Sequence, residues 1–315
     1  MDYDTALNKP KAIRHGCPLA SDFRGDVALS SVLEKAALTT AGVTYIQSQG
    51  VVSRSYAEIF DRARRILSGL RLLDTQPRDK IILQVNNNPT FIESLWACLL
   101  GGFIPVPLAP ALSYETPNRK ATQYLQTQQL LNAPIIVTNR ELQPSLQTFV
   151  ERHALDPSRE AGGSRGVRVA IAESLRESPP ALNWVTEPTQ GPALILMTSG
   201  STGMPKGVML SAQNLRVSAA GMASANGLTA ADIALNWMPL EHVASLVMFH
   251  FTEVWLGCQQ IQVDNGLILQ DPLRWLDLIE QYRATATWAP NFAYGLVNDQ
   301  ADKIQQRHWD LSSMR

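Results

Sequence analysis

The sequence has no excess of charge of one sign. Its 27 lysines and arginines face 28 aspartates and glutamates, which gives a formal net charge of −1 at pH 7, and no block of like charges occurs. Binding to a nucleic-acid backbone needs a basic surface, and membrane-surface binding favours a basic amphipathic helix. We therefore expect neither nucleic acid nor a membrane surface as the main partner.

Cysteine is scarce, and no histidine spacing matches a metal site. The three cysteines, Cys17, Cys98 and Cys258, lie far apart in the chain, and their spacing fits neither a zinc site nor a disulfide framework. The histidines show no ligand pattern either, so no protein-bound metal is predicted. We expect buried, reduced cysteines and a cytoplasmic protein.

Long apolar segments are nearly absent. The N-terminal residues have no apolar core of the kind found in a secretory signal. The longest uncharged stretch, 94–114, is interrupted by two glycines and three prolines: Gly101, Gly102, Pro105, Pro107 and Pro110. This pattern predicts a helix, a break and a buried strand, and it excludes a membrane span there.

The sequence does contain a sustained alternation of helical and extended patterns. Ser55 and Glu58 form a capping-box signature that opens an amphipathic helix, and the apolar run 80–85 reads as the next strand. Further strands are predicted at 103–108, 134–139, 193–198, 207–211, 233–238, 259–263 and 284–289, and helices follow most of them, including 212–226 and 243–256. Strands that alternate with helices indicate an α/β fold with mostly parallel sheets.

Composition divides the chain into three parts. We expect an N-terminal arm at 1–24, a first α/β lobe at 25–190 and a second α/β lobe at 191–315. The first lobe ends in an irregular linker, 156–191, which is rich in glycine, serine, arginine and proline. The last residues read as the approach to a further strand with no stop signal, so we expect a fragment of a longer protein.

One short segment, 194–210, combines glycine, hydroxyl groups and a lysine. It reads LILMTSGSTGMPKGVML, with four hydroxyl residues and three glycines. Glycines let the backbone approach a ligand closely, successive N–H groups can form an anion nest, and Lys206 adds a compact charge suited to phosphate. An ordinary surface loop seldom combines these features. The segment therefore predicts a phosphate-binding loop.

This segment is not the common P-loop. That motif requires glycine immediately before the lysine, whereas Pro205 precedes Lys206 and Gly207 follows it. Another class of phosphate-binding loop is therefore expected.

The loop sequence MTSGSTGMPKGVMLS, 197–211, resembles the phosphate-loop signature of the adenylate-forming superfamily. This superfamily includes acyl-CoA synthetases, fatty acyl-AMP ligases and the adenylation domains of peptide and polyketide assembly lines. SYAEIFDRARRILSGL, SLWACLLGGFIPVPLAP and WMPLEHVASL resemble further family segments in the same order. TWAPNFAYGLV, 287–297, is similar to fatty acyl-AMP ligases and to loading ligases of hybrid polyketide/peptide synthases.

The resemblance covers about residues 30–315 and implies a fold, a reaction and a set of site residues. The fold would be the large N-terminal domain, with two mostly parallel sheets wrapped by helices. The reaction would be ATP-dependent activation of a carboxylic acid to an acyl-adenylate, with Mg²⁺ bridging the phosphates. The residues implied to grip the leaving pyrophosphate are Thr198, Ser199, Gly200, Ser201, Thr202, Gly203 and Lys206.

The resemblance also implies a substrate site and a thiol acceptor. His242 would lie beside the reacting carboxylate as the candidate catalytic residue, and Val243, Asn291, Phe292 and Tyr294 would border the acyl group. A surface histidine at a helix end, and core packing for Phe292, are the alternative interpretations. The acyl acceptor would be the phosphopantetheine of a carrier-protein domain or coenzyme A.

Substrate class follows from one position of the resemblance. Amino-acid-activating members place an aspartate after the aromatic or histidine position, where it pairs with the α-ammonium group of the substrate. Here Val243 follows His242, and a buried ammonium without a carboxylate partner would be heavily penalised. A fatty or aryl acid without an α-amino group is therefore predicted.

Several family elements are not found in these residues. They are the adenine-binding segment, the Tyr-Gly-x-Thr/Ser-Glu magnesium motif, the ribose-binding aspartate, the hinge and the C-terminal catalytic lysine. We expect the C-terminal catalytic subdomain to be absent and the chain to be inactive alone. Two alternatives stay open: an acyl-CoA synthetase, and a non-catalytic truncated protein.

Overall fold

Three sheets form the framework of the protein in the computed structural model, which describes residues 23, 25, 27–111, 113–116, 118–131, 135–154, 167–187, 190–199 and 205–315. The strands are β1 (Gly42–Gln47), β2 (Gly50–Ser55), β3 (Lys80–Gln84), β4 (Ile104–Pro107), β5 (Ile135–Thr138), β6 (Arg168–Ile171), β7 (Pro192–Ser199), β8 (Pro205–Ser211), β9 (Ile233–Asn236), β10 (Gln259–Val263) and β11 (Ala286–Thr287).

Helices connect most of these strands. They are α1 (Leu29–Ala36), α2 (Tyr56–Arg71), α3 (Asn88–Leu100), α4 (Arg119–Leu131), α5 (Gln143–Ala154), α6 (Ala172–Leu175), α7 (Ala212–Asn226), α8 (Phe251–Leu256), α9 (Asn265–Gln270), α10 (Arg274–Tyr282), α11 (Asn291–Asn298) and α12 (Ala301–Ile304). A π-helix, Ala244–His250, runs directly into α8. The predicted α/β class is confirmed.

The two larger sheets are mainly parallel. One has the order β11-β9-β10-β1-β2, in which only the β1–β2 pair is antiparallel, and the other has the parallel order β4-β3-β5-β6. Parallel neighbouring strands need a crossover connection between them, and helices provide most of these crossovers. The third sheet is the antiparallel hairpin β7–β8, and β7 packs beside β4.

The sheets do not follow the sequence boundary near residue 190. Strands β1 and β2 precede that boundary, yet they share a sheet with β9, β10 and β11, which follow it. Within the predicted linker 156–191, the described residues include β6 and α6. The arm 1–24 lies outside the described residues except for Phe23. The division into lobes stays a prediction about folding units.

The capping box at the start of α2 is confirmed. The Ser55 hydroxyl accepts a hydrogen bond from the Glu58 backbone N–H at 3.2 Å, and the Glu58 carboxylate accepts one from the Ser55 N–H at 2.8 Å. This reciprocal pair satisfies two backbone donors that a helix start leaves free. It fixes the point at which the chain leaves β2 and enters α2.

Three details differ from the sequence prediction. The hairpin β1–β2 was not predicted, the strand expected at 284–289 shortens to Ala286–Thr287, and the helix expected at 243–256 begins as a π-helix.

The two faces of the five-stranded sheet are covered by different helices. The π-helix and α8 pack over Val43 and Tyr45, whereas α9 and α10 pack over the opposite face.

Candidate active site

The base of the predicted phosphate loop is an antiparallel hairpin. Thr198 of β7 lies directly opposite Lys206 of β8, and the Thr198 hydroxyl donates to the Lys206 carbonyl oxygen at 3.3 Å. Both side chains are exposed, and Lys206 forms no ion pair with any residue in the described ranges. The lysine charge is thus free to meet an anion at the tip of the hairpin.

The tip itself falls outside the described residues. Gly200, Ser201, Thr202 and Gly203 belong to the gap 200–204, and only the backbone of Ser199 is described, paired with Pro205. The two ends of the loop, Ser199 and Pro205, are therefore held one strand spacing apart.

His242 lies in a tight turn between β9 and the π-helix. Its backbone N–H donates to the carbonyl oxygen of Pro239 at 3.1 Å, and its own carbonyl accepts from the Leu246 N–H at 3.0 Å. The Ser245 hydroxyl donates to the Pro239 carbonyl and lies 3.1 Å from that of His242. The turn is closed on both sides, so the position of His242 is set by backbone bonds.

One nitrogen of the His242 imidazole accepts a hydrogen bond, and the other has no partner among the described residues. The Ala244 backbone N–H donates to its Nδ1 at 3.3 Å. An accepting Nδ1 carries no proton in the neutral ring, so Nε2 bears the hydrogen and acts as a donor. The side chain is exposed. The arrangement offers one N–H donor to a bound oxygen.

The second predicted substrate segment begins at α11, which follows β11. Asn291, Phe292 and Tyr294 are all exposed, with 57% of Phe292 and 51% of Tyr294 accessible, while Ala293 faces the core. The side of α11 that carries these three residues is therefore available to a ligand. Val243 is 46% exposed beside His242.

Aromatic contacts join the two substrate segments. The ring of Phe292 meets Trp237, the first residue after β9, edge-on at 6.4 Å between centroids. Phe249 of the π-helix meets Trp288, which follows β11, at 5.0 Å. Because β9 and β11 are neighbouring parallel strands, the segments after them emerge at the same edge of the sheet. The structure thus brings together residues that are about 50 positions apart.

The hairpin connects to this edge through one helix. Helix α7 begins directly after β8, with Ser211 as its capping residue, and packs against the π-helix and α8. Helix α7 therefore links the hairpin to the helix that follows His242. No direct contact between Lys206 and His242 occurs among the described residues.

A cavity of about 710 Å³ lies at the carboxyl ends of both parallel sheets. Its walls include residues that follow β9, β10, β3, β4 and β5, namely Met238, Asp264, Asn86, Pro110 and Leu142. The chain passes from β9 to its neighbour β10, then crosses back past β9 to β11. Such a reversal of strand order opens a crevice where α/β proteins bind ligands. His242 follows the wall residue Glu241.

Sequence reasoning missed the polar residues that lie beneath the His242 turn. Asn236, Gln260 and Gln262 are buried at the ends and middle of β9 and β10, and His250 is fully buried at the end of the π-helix. The signal was present, because glutamines alternate with apolar residues in QQIQV. A strand face that is polar and buried must find hydrogen-bond partners inside the protein.

The described residues contain neither a metal-binding cluster nor a membrane-spanning helix. No group of three or more His, Cys, Asp or Glu side chains in the described ranges could hold a metal ion. No helix among the same residues is long and apolar enough to cross a membrane. Cys98 and Cys258 are buried free thiols, and Cys17 lies outside the description.

The fold and the sequence place the chain in a known class. The model of the AMP-binding enzyme family matches residues 33–315. The chain belongs to the AMP-binding enzyme family, as its loop sequence predicted.

Curated relatives are fungal synthetases. Aspulvinone E synthetase melA of Aspergillus terreus is 31% identical over 248 residues, which cover 76% of this chain and 25% of that protein. Microperfuranone synthase of Emericella nidulans is 27% identical over 294 residues, which cover 91% of this chain and 30% of that protein. The chain thus spans about a quarter to a third of the length of these relatives.

Solved structures of adenylation domains also match this chain. An adenylation domain of a keto acid-selecting NRPS module, bound to a keto acyl adenylate, is 34% identical with a TM-score of 0.86, over 95% of this chain and 52% of that one. McyG A-PCP, complexed with phenylalanyl-adenylate, is 37% identical with a TM-score of 0.85, over 91% of this chain and 44% of that one. Fatty acyl-adenylate ligases from E. coli and L. pneumophila, 23% identical, share the fold.

Proposed function

We propose that the full-length protein uses ATP to activate a carboxylic acid as an acyl-adenylate. The observation that carries this proposal is the position of Lys206. Its unpaired charge stands opposite Thr198 at the base of a Gly/Ser/Thr loop, in a chain of the AMP-binding enzyme family. The reactants are both anions, so the reaction depends chiefly on placing them and neutralising their charge.

In the proposed reaction a carboxylate oxygen attacks the α-phosphorus of ATP. The new bond is the mixed anhydride of acid and AMP, and the bond to the β-phosphate breaks with release of pyrophosphate. Lys206 and the hydroxyl and N–H groups of residues 198–203 stabilise the negative charge of the leaving pyrophosphate. His242 Nε2–H donates to the carboxylate and holds it in line. Mg²⁺, carried by the ATP phosphates, would neutralise further charge.

The acyl group would then pass to a thiol. Attack of the thiolate sulfur on the acyl carbonyl forms a thioester and releases AMP. We propose the phosphopantetheine thiol of a carrier domain as the acceptor, and the McyG A-PCP relative supports this choice. Coenzyme A is the alternative acceptor. Because the acceptor must stay reduced, we place the reaction in the cytoplasm.

We further propose that the acid lacks an α-amino group. Val243 presents an apolar side chain beside His242, so the position next to the histidine offers no carboxylate to an α-ammonium group. The keto acid-selecting relative supports this substrate class, whereas the phenylalanyl-adenylate bound to McyG represents the opposite outcome.

The adenylation step is tested by Lys206→Ala in the full-length protein. Loss of one charge-assisted contact to the leaving group should cost about 2–4 kcal/mol, or roughly 30- to 1000-fold in ATP–pyrophosphate exchange. The melting temperature should stay unchanged because the side chain is exposed. Lys120→Ala, an exposed lysine on α4, is the matched control and should keep wild-type exchange. Equal exchange rates in the two variants would exclude the phosphate-binding role.

Substrate class is tested with three acids of one carbon skeleton: phenylpropanoic acid, phenylpyruvic acid and phenylalanine, together with a fatty acid. The wild type should exchange pyrophosphate with an acid that lacks the amino group and poorly with phenylalanine. Val243→Asp should shift the preference toward phenylalanine by about tenfold or more, because it supplies a carboxylate partner for the ammonium group. A wild-type preference for phenylalanine would refute the proposed substrate class.

A further inference from the structure

The segment that carries His242 is anchored at both of its ends by one buried hydrogen-bonded set. We call this set the buried relay; its members are Trp96, His250, Gln260, Gln262 and Asn236. Asn236 immediately precedes the segment 237–249, and His250 immediately follows it. The exposed fraction of each member is 1% or less. The buried relay therefore holds the turn and the π-helix at both ends of the segment.

The hydrogen bonds of the buried relay converge on the side-chain oxygen of Gln260. Trp96 Nε1–H donates to His250 Nε2 at 2.9 Å, so His250 Nδ1–H donates to Gln260 Oε1, also at 2.9 Å. Gln262 Nε2 donates to the same oxygen at 3.0 Å, and Asn236 Nδ2 donates to Gln262 Oε1 at 2.9 Å. Burial lowers the pKa of His250 to about 4, which keeps its ring neutral, as this pattern requires.

The relay ends on the backbone of the His242 turn. Asn236 Nδ2 also donates to the Met238 carbonyl oxygen at 3.0 Å, and Asn236 Oδ1 accepts from the Met238 N–H at 3.2 Å. Met238 precedes Pro239, whose carbonyl receives the His242 N–H. The side-chain amide of Asn236 therefore holds the backbone at Met238, one residue before the turn begins at Pro239.

We infer that the buried relay is a positioning device for the proposed adenylation: it sets the place of the His242 turn, and through that turn it keeps the Ala244 N–H on Nδ1, which fixes the tautomer. This inference rests on the proposed function. A set of buried bonds in a low-dielectric interior is stiff, and losing one partner leaves a donor or acceptor unsatisfied. The turn would then relax, and displacement of a positioning group by about 1 Å costs about 100-fold in rate.

Gln262→Met tests the inference in the full-length protein. Methionine keeps the side-chain volume but removes both hydrogen bonds of Gln262. Pyrophosphate exchange should fall by about 10- to 100-fold in kcat. The KM for ATP should be unchanged, because the phosphate loop lies on the β7–β8 hairpin, whereas Gln262 lies on β10 of another sheet.

A matched control comes from the four-stranded sheet. Gln84 is a fully buried strand glutamine whose Oε1 accepts from Tyr114 OH at 2.6 Å. It belongs neither to the relay nor to the candidate site. Gln84→Met also removes a buried strand amide and should leave kcat within about 3-fold of wild type. Equal losses of kcat in the two variants would overturn the inference.

Coupling to His242 separates positioning from general loss of structure. If the relay acts through the imidazole, Gln262→Met should cost less than about 3-fold once His242→Ala is present. Additive losses would overturn the inference. So would full activity of His242→Ala, and in that case the inactivity of Lys206→Ala would still support the proposed adenylation.

A spectroscopic readout does not depend on activity. In ¹⁵N-histidine spectra, the His242 signal, assigned by its loss in His242→Ala, should show a bare Nδ1 and a protonated Nε2. Gln262→Met should mix the two tautomers, whereas Gln84→Met should not. An unchanged His242 signal in Gln262→Met would overturn the inference. If no acid supports exchange in the wild type, the proposed function fails, and the spectrum still decides whether the relay positions His242.

Discussion

At the scale of single residues, Glu253 is a carboxylic acid placed where water does not reach. It lies on α8 with 3% of its surface exposed, and its Oε2 has no hydrogen-bond partner in the part of the chain that the structure describes. Burial raises its pKa to about 8. The thiol of Cys258 and the hydroxyl of Tyr56 lie nearby, and burial raises the pKa of each. The neutral acid is therefore the stable form of Glu253 in the folded protein.

Glu253→Gln should flatten the dependence of stability on pH. The folded-state pKa is raised, so the contribution of Glu253 to the free energy of unfolding is full below about pH 4.5 and is lost as the pH rises toward 8. One such proton gives a slope of at most about 1.4 kcal/mol per pH unit. Urea unfolding at pH 5, 6.5 and 8 should show this slope in wild type and not in Glu253→Gln. The exposed Glu151→Gln should keep the wild-type profile; a parallel profile for Glu253→Gln would contradict the prediction.

The sequence singles out exposed candidate residues more readily than the buried residues that hold their segments in place. Lys206 and Val243 could be identified because their neighbours form a recognisable motif. Asn236 and Gln262 could not be identified, because the hydrogen-bond partner of an amide on a strand is unknown until the neighbouring strand is known. Tertiary register places Asn236 opposite Gln262, and no local pattern encodes that pairing.

At the scale of secondary-structure elements, one carboxylate joins three of them. Glu93 of α3 is fully buried; its two oxygens contact Arg54 of β2 and Arg176, which follows α6, the latter at 2.6 Å. Arg62 of α2 lies 3.9 Å from the same carboxylate. A single buried anion thus balances part of the charge of three guanidinium groups.

Glu93→Gln should destabilise the fold strongly. Removing one partner of a buried ion pair leaves uncompensated charge and costs about 3–5 kcal/mol. Asp61→Asn, which breaks the exposed Arg65–Asp61 pair at 2.7 Å on α2, should cost only about 0.3–0.5 kcal/mol. Denaturant unfolding of both variants measures the difference. Similar losses in the two would mean that burial does not decide the strength of these pairs.

Elements with strong local signals were predicted well. Helix α2 has its capping box, and α7 spans 212–226 as the pattern indicated. The hairpin β1–β2 and the π-helix were missed for different physical reasons. Every β2 residue is exposed or half-buried, so it lacks the alternation that marks a strand, and a π-helix has no sequence period of its own that a 3.6-residue search could find.

At the scale of the whole molecule, β1 joins the early and late parts of the chain. It pairs antiparallel with β2 on one side and parallel with β10 on the other, with Val43 opposite both Arg54 and Gln260. Strand β1 is therefore a structural link between the region before residue 190 and the region after it. If the two predicted lobes fold as independent units, this sheet must form after they do.

Gly42→Ala should reveal whether the sheet folds as one unit. A Cβ at Gly42 would lie 2.1 Å from the Arg54 carbonyl oxygen, and backbone atoms cannot move aside as a flexible side chain can. The expected loss is about 3 kcal/mol. Hydrogen exchange should accelerate in β9 and β10 as well as in β1 and β2. Faster exchange in β1 and β2 alone would favour independent lobes.

Gly221→Ala is the matched control for this experiment. Gly221 lies inside α7, and a Cβ there would meet nothing within 4 Å. Alanine should stabilise the helix by about 0.5–1 kcal/mol and leave exchange in the five-stranded sheet unchanged. Destabilisation by Gly221→Ala would show that this helix face is covered in the full-length protein.

The π-helix Ala244–His250 has a consequence for how such a site can vary in chain length. A π-helical turn accommodates more residues than an α-helical turn, so one residue can be deleted between Ala244 and Phe249 without opening a loop. The deletion would convert the π-helix to an α-helix and leave α8 and β10 in place, and the residues on either side would keep their faces because the wider turn had absorbed the extra residue. A change of chain length is therefore tolerated next to the His242 turn without rebuilding the sheet behind it.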